Sequence, residues 1–296
     1  MERLRSYFLN GADRLVSQGY IGMEIETMFV DANGAPISLE CSKRMLELLS
    51  RSGWSVSQKK GNVTTELKKG ESKILYELSR ANIELAVEPS IGPCIVGKAR
   101  SLLQEIYAAG SFVGAEPFFE PILEVDNPSE LLVIPDERDA VWLELDGRTS
   151  LGNLAECSAV QFVFDVDPGE GIAILNRLGF AIDCFLEDYP QQSLWRKYIR
   201  ESRAGYLPSR YGGPLVFKDI GDYCDRLAEH AVVLNGRLVP FKDAGDFDIP
   251  LFLRSIWWYF RLRRYGSRLC VEVRPLPRRE DEKFQEQLEF VLSIIQ

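Results

Sequence analysis

The chain has 296 residues, 46% hydrophobic and 27% charged, an ordinary globular composition with enough apolar material for a sizeable core. Lys+Arg number 35 against Asp+Glu 44, and the net charge of -9 argues against a nucleic-acid-binding surface while allowing an acidic site for cations. Cys41, Cys94, Cys157, Cys184, Cys224 and Cys270 stand far apart with no CxxC pair, which argues against a zinc knuckle or a disulfide framework.

In chain order, 2–18 has helical spacing and runs into a strand over 20–30, and 31–36 (DANGAP) is a turn. An amphipathic helix is predicted over 39–51, then strands at 53–58, 61–67, 72–76 and 82–87, and a helix over 93–109. The Pro- and acid-rich stretch 115–137 has no assignment. A strand at 156–167 and a helix over 169–186 follow, then an irregular Arg/Gly/Pro stretch from 197 to 215, of a length that often carries function. Asn235-Gly236 suits the turn of a hairpin over 232–241. A helix over 250–263, with Trp257, Trp258, Tyr259 and Phe260 in its core, a strand at 269–274 and a helix over 282–295 complete the chain. Strands joined by short turns, without regular strand–helix alternation, predict an α+β fold: a mostly antiparallel curved sheet with helices packed on one face, in a single domain spanning 1–296. The N-terminus lacks the apolar stretch of a signal peptide and no run of about 18 apolar residues occurs, so the expectation is a cytoplasmic protein without membrane contact.

Residues two apart in a strand share a face. In the segment 20–30, Glu24 and Glu26 therefore fall together, opposite Met23, Ile25 and Phe29. The pattern recurs at Glu84 within 83–87, at Gln161 within 159–164, and at Glu272 and Arg274 within 270–274. Carboxylates buried in such strands are costly unless they are paired or ligate a cation, and hard oxygen ligands select Mg²⁺ or Mn²⁺ with nucleotide phosphates. An antiparallel sheet with one solvated face shows the same alternation, so the pattern alone does not identify an enzyme.

Four ordered patches resemble the glutamate–cysteine ligase family, including its plant-type and carboxylate–amine ligase relatives, which share the glutamine synthetase-like fold. GMEIET, with Gly22, Glu24 and Glu26, looks like the family's opening G-x-E-x-E strand; YELSRANIELAVEPS (76–90) looks like its second signature. SAVQFVFDV (158–166) is similar to its Gln/His strand, and CVEVRPLP (270–277) to its E-x-R strand. The resemblance implies metal ligation by Glu24, Glu26, Glu77, Glu84, Gln161 and Glu272, with Glu26 and Arg274 catalytic and Arg274 on the transferred phosphate. The implied reaction consumes ATP with Mg²⁺ (or Mn²⁺): a carboxylate attacks the γ-phosphate and an amine captures the acyl phosphate as an amide, in the γ-glutamyl case and in related ones. Small-molecule carboxylate and amine substrates are then the partners, a homodimer is allowed, and the alternatives are a guanidino kinase-like phosphotransferase or a non-catalytic nucleotide-binding relative. Arg148, Arg203 and Arg210 are candidates for clamping a substrate carboxylate, and His230 reads as a surface or capping residue at a helix end.

Overall fold

Period-two alternation builds the centre of the molecule, whose structure, a computed structural model, describes residues 2–9, 17–132, 143–144, 146–202, 210–234 and 237–296. Its elements are α1 (Glu2–Leu9), β1 (Tyr20–Val30), α2 (Leu39–Arg51), β2 (Ser55–Lys60), β3 (Val63–Lys69), β4 (Ser72–Tyr76), β5 (Asn82–Ile91), α3 (Cys94–Phe112) and β6 (Glu116–Phe118). Then follow α4 (Arg148–Gly152), β7 (Ala159–Asp165), α5 (Gly171–Phe180), α6 (Ile182–Leu186), α7 (Gln192–Glu201), β8 (Tyr211–Gly212) and α8 (Ile220–Ala228). The remainder is β9 (Ala231–Leu234), β10 (Arg237–Pro240), α9 (Ile249–Arg254), β11 (Trp257–Trp258), β12 (Phe260–Tyr265), β13 (Arg268–Pro277) and α10 (Phe284–Ile295).

The fold is α+β. A nine-stranded sheet runs in the order β12-β13-β7-β1-β5-β4-β3-β2, with β6 paired to the end of β1, and every pair in it is antiparallel. On one face Met23, Ile25 and Phe29 of β1, Phe162 of β7 and Val271 and Val273 of β13 are buried in a single apolar core. Helix α3 packs on β1 and β5, α2 on β3 and α3, α5 on β12 and β13, and α10 on α5, closing that face. Helix α2 starts where the sequence says it should, because the Ser38 side chain accepts a hydrogen bond from Cys41 N, leaving an apolar stripe of Met45, Leu46 and Leu49 for the core. A second apolar cluster, including Leu78, Leu131, Leu151, Leu154, Tyr198, Tyr211 and Trp257, lies apart from the first.

Three readings of the sequence are corrected. The helix expected over 250–263 ends at Arg254, and its aromatic run enters β11 and β12 instead, since Trp, Tyr and Phe pack well on a pleated surface. Part of the supposedly irregular stretch from 197 is the end of α7, whereas 203–209 lies outside the described residues, as do Asn235 and Gly236.

His230 is not at the surface. It is 1% exposed, with its ring 5.7 Å from that of Trp258 and its carbonyl accepting from Phe241 N, because the chain turns inward after α8 to start β9. Burial, and then the charge of Arg210, lower its pKa to about 3. A base depressed in the folded state binds its proton only on unfolding, so stability is complete above about pH 6.5 and falls as pH drops towards 3, by roughly 1.4 kcal/mol per unit. Between pH 6.5 and 5 the wild type is expected to lose about 2 kcal/mol more than His230→Leu, measured by urea unfolding. Parallel pH profiles for the two proteins would refute this.

Candidate active site

The face of the sheet away from the core carries charge, and strand register arranges it in rows about 7 Å apart. One row contains Arg263, Cys270, Asp165 and Tyr20; the next contains Arg261, Glu272, Val163 and Gly22. Beyond them come Gln161, Glu24, Ala86 and Lys73, with Arg274 on β13 alongside, and then Glu26, Glu84, Leu75 and Glu66. A cleft of about 1060 Å³ lies over this face, lined by Glu24, Glu77, Glu84, Gln161, Arg261, Arg263 and Arg274 among others. Small-molecule sites usually occupy roughly 300–1,000 Å³, so there is room for more than one small ligand.

Glu77 and Glu84, at one end of the cleft, converge with the buried Glu26, each offering one carboxylate oxygen, all within 4.8 Å of one another. Glu26 and Glu84 sit directly opposite across β1 and β5, and Glu77 joins them from just past the end of β4, where its amide donates to Asn82 O. Like charges placed opposite in an antiparallel pair repel. Burial, reinforced by the charge of Glu77, pushes the Glu26 carboxyl up to about 8, while Glu77 Oε2 is buried with no hydrogen-bond partner. A divalent cation answers both features. Oxygens sharing one octahedral Mg²⁺ at about 2.1 Å lie about 3.0 Å apart when adjacent and about 4.2 Å when opposite, so three carboxylates gathered within 4.8 Å of one another would draw in on such an ion.

Gln161 connects this end to the other. Its Nε2 donates to Glu26 Oε1 at 2.8 Å, and its Oε1 accepts from Arg274 Nη1 at 2.6 Å, which fixes the amide orientation. Beyond it, Glu272 is wholly buried and takes both Nε and Nη2 of Arg261, whose Nη1 donates to the carbonyls of Leu253 and Ile256. Arg274 and Arg263 approach the same Glu272 oxygen at 3.6 and 3.8 Å. Burial opposes ionisation of Glu272, but Arg261, Arg263 and Arg274 outweigh it and hold the carboxyl well below the usual range. Glu24 is shifted upward by burial and by Glu272, against the pull of Arg263, Arg274 and Arg261.

The structure thus brings Glu26, Glu77 and Glu84 to one point and ties Gln161 to Glu26, whereas Glu24 and Glu272 stand nearer the arginines. Arg148 is exposed, with a long contact to Ser129 O at 3.4 Å, and does not line the cleft. Arg210 is 3% exposed, paired with Asp146, donating to Ser255 O and stacked near Tyr211 and Trp257; its guanidinium is spent inside the second apolar cluster. Arg203 lies outside the described residues. Arg261 and Arg263, which share the charged face, escaped the sequence reading because a helix was expected there; the alternation Phe260-Arg-Leu-Arg263 was the available signal.

No protein-family model and no curated protein matches the sequence. Among solved structures the chain is similar to a bifunctional glutathione synthetase from Pasteurella multocida, with TM-score 0.52 and 13% identity over 97% of this chain and 40% of that one. It is also similar to a glutamate–cysteine ligase from Francisella tularensis in complex with AMP, with TM-score 0.44 and 10% identity over 87% of this chain and 61% of that one. The chain spans about two-fifths and three-fifths of the length of those two proteins. At such identity the likeness to the first is one of fold. Among the described residues no helix is long and apolar enough to cross a membrane.

Proposed function

We propose that the chain is an ATP- and divalent-metal-dependent ligase that joins a carboxylate to an amine. The observation that carries this reading is the convergence of Glu77 and Glu84, at one end of the cleft, with the buried Glu26, while the other end holds three guanidiniums. The fold shared with a protein described as a bifunctional glutathione synthetase supports it, as does the order of the four patches that resemble the glutamate–cysteine ligase family.

In this reading Glu26, Glu77 and Glu84 hold Mg²⁺ or Mn²⁺, which when bound offsets charge on the phosphate oxygens of ATP. Gln161 keeps the Glu26 carboxylate turned towards its neighbours, and Arg274, anchored by Gln161, presents donors to the phosphoryl group in transfer. Glu24, between the two ends, is the carboxylate placed to share a further cation. Positioning and electrostatics carry such a phosphoryl transfer, so no nucleophilic side chain is required.

Incubation with ATP, Mg²⁺ and a panel of amino acids, read by mass spectrometry, is expected to yield ADP and an amide in equal amounts. ADP with a phosphorylated guanidine, or no nucleotide turnover with any acid and amine, would contradict the ligase reading.

A further inference from the structure

The three arginines over Glu272 are not equivalent. Arg261 is saturated: two of its nitrogens hold Glu272 and the third is taken by two backbone carbonyls, so the pair is neutral and self-contained. Arg274 makes one hydrogen bond, to Gln161, and Arg263 makes one long one, Nη2 to the Tyr265 hydroxyl at 3.4 Å. A guanidinium carries five donors, so most of those on Arg263 and Arg274 have no acceptor among the described residues. Their side chains are 23% and 18% exposed and line the cleft.

With Glu272 taken up by Arg261, Arg263 and Arg274 bring two further positive charges to a largely buried place, and Glu24 stands in the adjoining row of the face. An unbalanced buried charge of this size calls for a counter-ion. Both Nη1 atoms lie within 4 Å of the same Glu272 oxygen, close enough together for different oxygens of one phosphate or carboxylate to meet both with charge-assisted hydrogen bonds of about 2.8 Å. Gly22 and Val163 continue the Glu272 row across the sheet and leave the floor beside the arginines low.

We propose that Arg263 and Arg274 form a two-guanidinium clamp for a substrate oxyanion, a phosphoryl or carboxylate group, with Arg263 a binding residue of the cleft. The identity of the substrate rests on the ligase reading; the anion site does not.

The test measures tripolyphosphate binding by calorimetry in EDTA, for the wild type, Arg263→Met, Arg263→Lys and the surface control Arg226→Met, and then repeats it with Mg²⁺ and a non-hydrolysable ATP analogue. The wild type and the control are expected to bind one tripolyphosphate equally. Arg263→Met should weaken this roughly ten- to hundredfold, and Arg263→Lys, which keeps charge without the fork, should fall between. If the clamp takes the nucleotide phosphate, Arg263→Met weakens the ATP analogue to the same degree; if it takes the acid, analogue affinity holds and the KM for the carboxylate substrate rises. Wild-type affinity in Arg263→Met for tripolyphosphate, or an equal loss in Arg226→Met, would overturn the clamp even if amide synthesis is found. Arg263-dependent anion binding in a protein that never binds the Mg²⁺–nucleotide analogue would instead leave the clamp standing and remove the ligase reading.

Discussion

Glu26→Gln is expected to make the metal-free protein more stable and the metal-loaded protein less so. Without a cation, Glu26 is a buried carboxyl opposite Glu84 and close to Glu77, with its pKa raised to about 8 by burial first and by Glu77 second. A carboxylate raised on folding stabilises the protein below its unfolded pKa and costs stability as pH rises towards its folded one, so at pH 7 the native state carries a penalty of roughly 3 kcal/mol. Glutamine removes that penalty and can still accept the hydrogen bond from Gln161. With Mn²⁺ present at about a hundred times its dissociation constant, the wild type should gain roughly 2.7 kcal/mol, about 5 °C or more in Tm, and the variant almost none. Turnover should fall with it, by roughly a hundredfold or more. Scanning calorimetry with and without Mn²⁺ checks both signs, and equal Mn²⁺ gains in the two proteins would refute the placement of the cation.

The second large effect concerns the arginine end. Glu272→Leu is expected to cost roughly 3–5 kcal/mol, because it strands Arg261 without its carboxylate and removes the carboxylate that lies within 4 Å of Arg263 and Arg274 as well. Arg261→Met should cost less, since Glu272 keeps two guanidiniums within 4 Å. The double variant should recover part of the loss, as a buried ion pair replaced whole by apolar side chains is often nearly neutral. Urea midpoints for the three proteins decide it. An Arg261→Met cost equal to or above that of Glu272→Leu would mean that Arg261 stabilises the fold by something other than neutralising Glu272.

Much of this site was legible before any coordinates, for a simple reason. Strand period is two, so Glu24 with Glu26, Gln161 with Asp165, and Glu272 with Arg274 had to share a face once their segments were strands. Which of those residues would meet was not legible, because it depends on register: Glu26 faces Glu84, but Glu24 faces Gln161, one row nearer the arginines. Helix α2 was readable from its amphipathic spacing, whereas β12 was not, since the apolar spacing of α9 continues into Ile256 and Trp257 and masks the change of period after Ser255. That one misreading hid Arg261 and Arg263. His230 was misplaced for a different cause, since a buried polar residue looks like a surface one until its neighbour, Trp258, is known, and Arg210, read as a candidate substrate clamp, is found paired with Asp146.

In the proposed site, three carboxylates from β1, β5 and the segment after β4 share one divalent cation beside the cleft. Crystals soaked with Mn²⁺ and a non-hydrolysable ATP analogue, measured at a wavelength where manganese scatters anomalously, address it directly. The expected result is an anomalous peak within about 2.3 Å of oxygens from Glu26, Glu77 and Glu84, with the analogue's phosphates extending from it towards Arg274. Nucleotide bound with no peak at those carboxylates, or manganese held only elsewhere, would contradict it.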